Sequence, residues 1–561
     1  MWVSLSNWGH FLLAFRLVFL LLCLLLFVFP HTSSKSLNTL RYRREPGVPH
    51  TLPPSREDVL IGETVSMIFS EMPSLQFKIR PETSSRGIII PKNYQHVLAF
   101  LFAIHEINNN NKLLPNTTLG SVVADDLFSA RRACEATLDL LFKSQGNVLN
   151  YSCEKGARLL AVIGALTSPS SIQMANVLST YKVPQLSYGS FDPVLSDQTQ
   201  FPFFFRMIPN EEPQYDGIVE LLKYFAWKWI GLLLSSDGTG EAFLRTLRPR
   251  LLQNNICVAV TEFLPMVTTH TSNKTVTTLL RSLFSALWLH PLNVWLVHGD
   301  GQSMEGLRIV LVNSEIVWNR PMENVWIITA QWDVTTVLPW NPFTAKSLNG
   351  TLSFSLHSNV VPGFQDFLES LNPYKSNIVY FQVFWQTAFT CSLPEYDFPL
   401  VSTCSGEQSL GSLSRSVFEL EMSGQSYSIY NAVYAVAHAI HAMSSPTAKE
   451  RAMRTRDREG RLAGQPWQLH FFLRNVRFNN SAGDEIFFND HGDLEFGYNV
   501  NNLVTFPNRS FQRVRVGWID PHGPDGKKFT LNGSAVVWNP KFNQVSIPLW
   551  KASSQQILPD V

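Results

Sequence analysis

The sequence predicts an α/β fold built on mainly parallel sheets, and three observations carry that prediction. Apolar runs of strand length alternate with segments whose apolar residues recur every three to four positions, the pattern of strand–helix–strand units. The strand runs are apolar throughout rather than alternating, as sheets covered by helices on both faces require. At 561 residues the chain is also too long for one ordinary core, so two or more compact lobes are expected.

The first element is the apolar run Leu17–Phe29, preceded by Arg16 and followed by Pro30, which reads as a secretory signal peptide over residues 1–33. Residues 34–57 form a polar, Pro-rich linker whose Arg41-Tyr42-Arg43-Arg44 cluster reads as solvated or as a proprotein cleavage sequence. No later segment supplies the ~18 continuous apolar residues of a spanning helix. Val97, Leu101 and Ile104 make a helical stripe that stops at the Asn run 108–111. A buried strand at Leu159–Ile163 precedes a helix at Ser168–Tyr181. Val183–Tyr188 is a short strand, and Glu211 and Glu212 open a helix with Ile218, Leu221, Leu222 and Phe225 on one face. Strand Ile230–Leu234, helix Glu241–Asn254 and strand Cys257–Val260 follow. Helix Val276–Leu287, strand Val294–His298, helix Ser303–Val312 and strand Val325–Thr329 continue the alternation. Ser405–Ser423 and the Arg-rich Ser444–Pro466 read as loop-like inserts, the latter as a solvated, mobile loop.

Net charge is +1 and charged residues make up 16%, so no global field draws the protein to nucleic acid or to an anionic membrane. The sequence contains no H-E-x-x-H, G-x-S-x-G, P-loop or G-x-G-x-x-G pattern, so no enzyme, cofactor or metal site is predicted. His438 and His441 fall at i, i+3 among Val436, Ala439 and Ile440 and read as helix packing; Asp490-His491 reads as a turn. Asn116, Asn150, Asn273, Asn349, Asn479, Asn508 and Asn532 each begin a glycosylation sequon, which agrees with secretion. Of six cysteines Cys23 lies in the signal, and the five that remain are an odd number, so at least one is free or pairs between chains.

Open parallel sheets bind ligands beyond the carboxyl ends of their strands, at helix N-termini. Ser168 follows strand Leu159–Ile163 and precedes Pro169, where the N–H groups of Ser170 and Ser171 are placed to receive a carboxylate. The same serine is equally well explained as a helix cap alone.

Several motifs occur in order: PQ-x-SY from Pro184, LSD then QFP from Leu195, R-x-IPN-E-E from Arg206, and F-x-W-x-W-x-G from Phe225. With GFQDFLESLNP, QSYSIYNAVYAVAHAIHAM and FNDHGDL downstream, the chain resembles the ligand-binding ectodomain of family C G-protein-coupled receptors. SYGSFDPVLSD and QPWQLHFFLRN look most like the vomeronasal type-2, pheromone-sensing branch. The resemblance implies a bilobed, Venus-flytrap clamshell like a periplasmic binding protein, each lobe a doubly wound, mainly parallel sheet. Lobe 1 would take 58–209 and 352–484, lobe 2 would take 210–351 and 485–546, and 547–561 is a divergent tail. The family's cysteine-rich and seven-helix domains are missing from this sequence, so G-protein coupling is expected only if a membrane domain is joined to it.

The resemblance further implies a Cys391–Cys404 disulfide, an intermolecular role for Cys153, and a Cys257 whose partner is missing. It implies a homodimer through lobe 1, for which Met174, Val177, Leu178 and Tyr181 offer an apolar helix face. At the ligand it assigns Ser168 to an α-carboxylate, Gly189 and Ser190 to the adjacent loop, and Glu211 to an ammonium. Phe191 stands where relatives carry Ser or Thr, Thr239 where they carry an aromatic, and Ala330 where they carry an acid. A peptide or small molecule, larger or more apolar than a free amino acid, is therefore the expected ligand. The alternatives are a secreted decoy or truncated, non-signalling product, and an amino-acid-sensing ectodomain. The expected location is the extracellular face of the plasma membrane, or secretion if the chain is complete.

Overall fold

Strands joined through helices return parallel to their neighbours, and that move generates most of two separate sheets. The structure, a computed structural model, describes residues 59–70, 87–142, 158–266, 273–337, 343–393, 402–445 and 465–542, apart from residues 111, 116, 291, 376, 377, 525 and 526. The signal peptide, the basic linker, Asn116, Asn150, Cys153, most of the Arg-rich loop and the tail from 547 lie outside these residues.

The first sheet runs Leu119–Asp125, Val59–Val65, Arg158–Ile163, Gln185–Ser187, Phe204–Arg206, parallel at every pairing. The second has eight strands. Its order is Phe529–Leu531, Phe511–Ile519, Tyr498–Thr505, Thr351–Leu356, Val325–Ile328, Val294–His298, Trp229–Ser235, Cys257–Leu264. The five strands from Thr351–Leu356 to Cys257–Leu264 pair in parallel, and the three at the other edge are antiparallel.

Both sheets are covered on two faces, which explains the continuous apolar strands. In Trp229–Ser235, Leu232 and Leu234 pack with Ile218, Leu222, Phe243 and Leu247, while the intervening Leu233 packs with Leu283, Leu307 and Trp295 on the opposite face. In the first sheet Ile61 and Ile163 meet Phe100, Phe384 and Tyr430, whereas Val162 meets Ala133, Leu140, Met174 and Leu178. Helix Ser168–Tyr181 thus turns Met174 and Leu178 onto its own sheet, leaving Val177 half-buried and Tyr181 exposed from the proposed dimer face.

The predicted elements are present with adjusted ends. Val183–Tyr188 shortens to Gln185–Ser187, since Pro184 has no N–H to donate. The helix expected from Glu241 begins at Gly238, because Asp237 Oδ1 accepts the N–H groups of Thr239 and Gly240 at 3.1 Å. Thr351–Leu356 lies wholly in the second sheet, while Ile486, Phe488 and Leu494 pack in the first core. Both features move the later lobe crossings downstream of 352 and 485. Asn479, Asn508 and Asn532 are exposed, whereas Asn349 is half-buried and accepts the Thr505 N–H at 3.0 Å.

Cys391 and Cys404 are disulfide-bonded across a separation of 13 residues, and both are buried. Cys134 and Cys257 are free and half-buried. Replacing Cys391 and Cys404 together by serine is expected to cost at most about 3 kcal/mol, through the entropy returned to the unfolded loop. A denaturant midpoint unchanged in the double variant, at constant slope, would contradict this.

Candidate functional site

Residues just past the carboxyl ends of parallel strands in both sheets line one cavity. It encloses about 1070 Å³ of space between atoms, its open mouth included. Phe69, Phe128, Leu166 and Thr167 come from the first lobe. Asp300 and Gln302 follow Val294–His298 in the second, and Gln331, Trp332 and Asp333 follow Val325–Ile328. A single open parallel sheet offers a ligand crevice at this end; here two sheets share it.

Two acids, Asp125 half-buried and Asp126 fully buried, hold the aromatic wall. Asp125 accepts the N–H groups of Met67 and Ile68 at 3.1 Å and of Leu127 at 2.6 Å, and Asp126 accepts that of Phe128 at 3.0 Å. These bonds fix the turns that carry Phe69 and Phe128, whose ring centroids lie 6.3 Å apart. Burial and the charge of Asp126 push the Asp125 carboxyl well above its usual range, against those same bonds. Helix Pro91–Asn108 presents Lys92, Gln95 and His96 to the cavity, positions one helical turn apart. Burial pushes His96 down to about 3, so its ring is neutral at physiological pH.

Four charges join the lobes at the cavity wall. Lys92 Nζ lies 2.7 Å from Glu419 and 3.4 Å from Asp333, and it donates to Thr335 Oγ1 at 2.7 Å. Arg513 reaches Glu419 at 2.7 Å and Asp333 at 3.1 Å, and also donates to Thr335. Lys92 and Glu419 belong to the first lobe, Asp333 and Arg513 to the second. Burial alone would raise both carboxyls; Lys92 and Arg513 override it and hold Asp333 well below, and Glu419 below, the usual range. Arg308 pairs with Glu305 at 3.4 Å, and burial lowers it even so. Asp300 is half-buried and accepts the Ser303 N–H at 2.9 Å; burial raises it, these bonds offsetting part of the effect.

The residues singled out from sequence lie beside this cavity and do not line it. Ser168 is the first residue of its helix, not the cap, and its hydroxyl accepts the Asp192 N–H at 3.2 Å. The cap is Thr167, which takes the N–H of Ser170 on its side chain and that of Ser171 on its carbonyl. The donors expected for a carboxylate are therefore occupied. Ser190 is fully buried and bonded to Ser171 and Ser187. Gly189 packs so tightly that a Cβ there would sit 2.2 Å from the Leu166 carbonyl oxygen.

Glu211 is buried, accepting the Tyr215 hydroxyl at 2.6 Å and the Gln331 amide at 2.8 Å, and burial raises its carboxyl despite both bonds. Thr239 donates to Asp237 at 2.6 Å. Ala330 is buried, and its N–H is taken by Gln214. Phe191 packs into the second core near Tyr498 rather than forming a cleft wall.

Asp300 and Asp333 were within reach of sequence reasoning, since each lies a few residues past a predicted strand end. Lys92, Glu419 and Arg513 carry no such signal. Glu419 comes from the Ser405–Ser423 stretch read as a loop-like insert, and 327 residues separate it from Lys92.

Residues 95–505 match the receptor family ligand binding region. The chain is 31% identical over 471 residues to vomeronasal type-2 receptor 26 of Mus musculus, covering 82% of this chain and 53% of that one. It is 26% identical over 514 residues to the extracellular calcium-sensing receptor of Homo sapiens, covering 86% and 46%. Taste receptor type 1 member 2 of Gorilla gorilla gorilla is 29% identical over 419 residues, covering 72% and 45%. The chain thus spans about half the length of the curated relatives it matches.

Proposed function

Because this chain belongs to the receptor ligand-binding family, among the ectodomains of family C G-protein-coupled receptors, we propose that it is the ligand-binding part of a pheromone-type receptor, closing its two lobes on a peptide or small molecule. The observation that supports this most directly is the cavity at the strand carboxyl ends, walled by both lobes and bridged by Lys92, Glu419, Asp333 and Arg513. Closure on a ligand would shift a two-state equilibrium that a joined membrane domain reads. The reading places the chain on the extracellular side of the membrane, with the exposed Asn479, Asn508 and Asn532 as glycan acceptors.

A free amino acid fits this cleft poorly. The helix N–H groups expected for its carboxylate are taken by Thr167, and Glu211, expected for its ammonium, lies outside the cavity lining and is bonded to Tyr215 and Gln331. Losing one charge-assisted contact costs roughly 1.5–3 kcal/mol, or about ten- to a hundredfold in affinity. Calorimetry with the common L-amino acids is therefore expected to show no binding tighter than millimolar. Micromolar binding of any of them would replace this reading with an amino-acid sensor.

A further inference from the structure

We propose that Asp300 selects the ligand, and that the cavity takes an apolar molecule whose ammonium or guanidinium group seats on the Asp300 carboxylate. This rests on the reading of the interlobe cavity as the ligand site, and follows from the charges that line it. Lys92 and Arg513 are both engaged by Glu419 and Asp333, and Arg415, paired with Glu419 and Glu421, adds one charge of each sign, so the group stays balanced. Arg308 is engaged by Glu305. Asp300 remains: among the described residues no cation lies within ion-pair distance of it, and its hydrogen bonds come from neutral donors of its own turn, Ser303 and Gln302.

An anion entering the cavity would find every lining Lys and Arg already paired and one acid in excess. A cation would find that acid uncompensated, where desolvation strengthens the attraction. Both sides of the wall also offer apolar side chains, Phe69, Phe128 and Ile90 from the first lobe and Trp332 and Val337 from the second, set among neutral polar ones such as Asn93, Gln331 and Thr336. One face of Trp332 carries the Arg308 guanidinium 5.5 Å from a ring centroid, which leaves Asp300 as the stronger cation receptor. The ligand class is thus a hydrophobic amine without a carboxylate beside it: an aryl- or alkylamine, or the amino end or basic side chain of a peptide.

Three probes of one size separate the charges: 2-phenylethylamine, 2-phenylethanol and 3-phenylpropionate, titrated calorimetrically into the full chain. The amine is expected to bind at least about tenfold more tightly than the alcohol, and the acid more weakly than either. Asp300→Asn keeps an acceptor for the Ser303 N–H and should reduce the amine to the affinity of the alcohol, while Asp300→Glu restores part of the difference. Gly301 lines the cavity with open space where its Cβ would stand, so Gly301→Trp should fill the site and abolish binding of both amine and alcohol. The melting temperature of each variant identifies loss of fold.

An amine no tighter than the alcohol, with both lost in Gly301→Trp, would overturn the role of Asp300 and leave the cleft reading intact. Amine binding that survives Gly301→Trp, or no heat from any probe at millimolar concentration, would overturn both.

Discussion

Arg206→Ala is expected to lower the stability of the protein by about 3–5 kcal/mol, the cost of leaving a buried charge without its partner. Arg206 is fully buried where the first lobe hands over to the second. Its Nε donates to Asp493 at 3.0 Å, Nη1 to the Ser190 carbonyl at 2.9 Å, and Nη2 to the Asp192 carbonyl at 2.8 Å and Ser196 Oγ at 3.0 Å. Asp493 in turn accepts from Ser196 at 2.7 Å and Asn210 at 3.3 Å. Alanine would strand that carboxylate together with the buried Ser190 carbonyl and the half-buried one of Asp192. Lysine keeps the charge but loses the fork, so Arg206→Lys should recover only part of the loss. Urea unfolding monitored by tryptophan fluorescence measures both variants; a loss under about 1 kcal/mol for alanine would show that the network contributes little beyond its own desolvation cost.

Glu419→Gln is expected to weaken the contact between the lobes by about 3–4 kcal/mol, because Lys92 and Arg513 would then share Asp333 alone. The side chains of Lys92, Glu419, Arg513 and Asp333 are 9%, 14%, 27% and 37% exposed, so solvent screens the group unevenly and Asp333 most. Acid should imitate the substitution. Both carboxyls are held below their ordinary values by the two cations, against burial. A group whose pKa is depressed contributes fully above its ordinary value, about 4 for a carboxylate, and loses that contribution as the pH falls through the depressed value. Lobe opening is therefore expected on acidification below that range and not between neutral and mildly alkaline pH. Small-angle scattering would register it as a larger radius of gyration, in the variant at neutral pH and in the wild type in acid. Equal radii in all three conditions would remove the ion group from any role in closure.

The α/β alternation was legible because it is local. From Val183 to Leu234, and again from Val294 to Ile328, each element carries its own apolar period and its own punctuation. The antiparallel strands do not. Tyr498–Thr505 contains Asn499, Asn501 and Asn502, a residue type depleted in strands, yet Asn502 is buried and bonds the Thr351 carbonyl and the Val537 N–H. Tertiary pairing overrides its propensity.

At the site, the strand-end rule pointed to the end of the sheets where the cavity lies, and the family motifs then directed attention to Ser168 and Glu211. Neighbours close both off: a threonine one residue upstream supplies the cap, and Tyr215 and Gln331 cover the acid. Nothing at positions 168 or 211 themselves records that. The charges that join the lobes depend on where the chain crosses between sheets, which no window of sequence contains.

The eight-stranded sheet has a consequence for biosynthesis. Its centre is made early, but Thr351–Leu356 pairs on its far side with Tyr498–Thr505, and that ribbon ends only at Phe529–Leu531. While a ribosome translates the intervening segment, the nascent chain holds a strand edge in the middle of a core with its carbonyls and amides open. Such edges recruit other chains. Residues 498–531 therefore act, in the order of synthesis, as the cover that ends this exposure, and a product released before them would present an unsealed sheet.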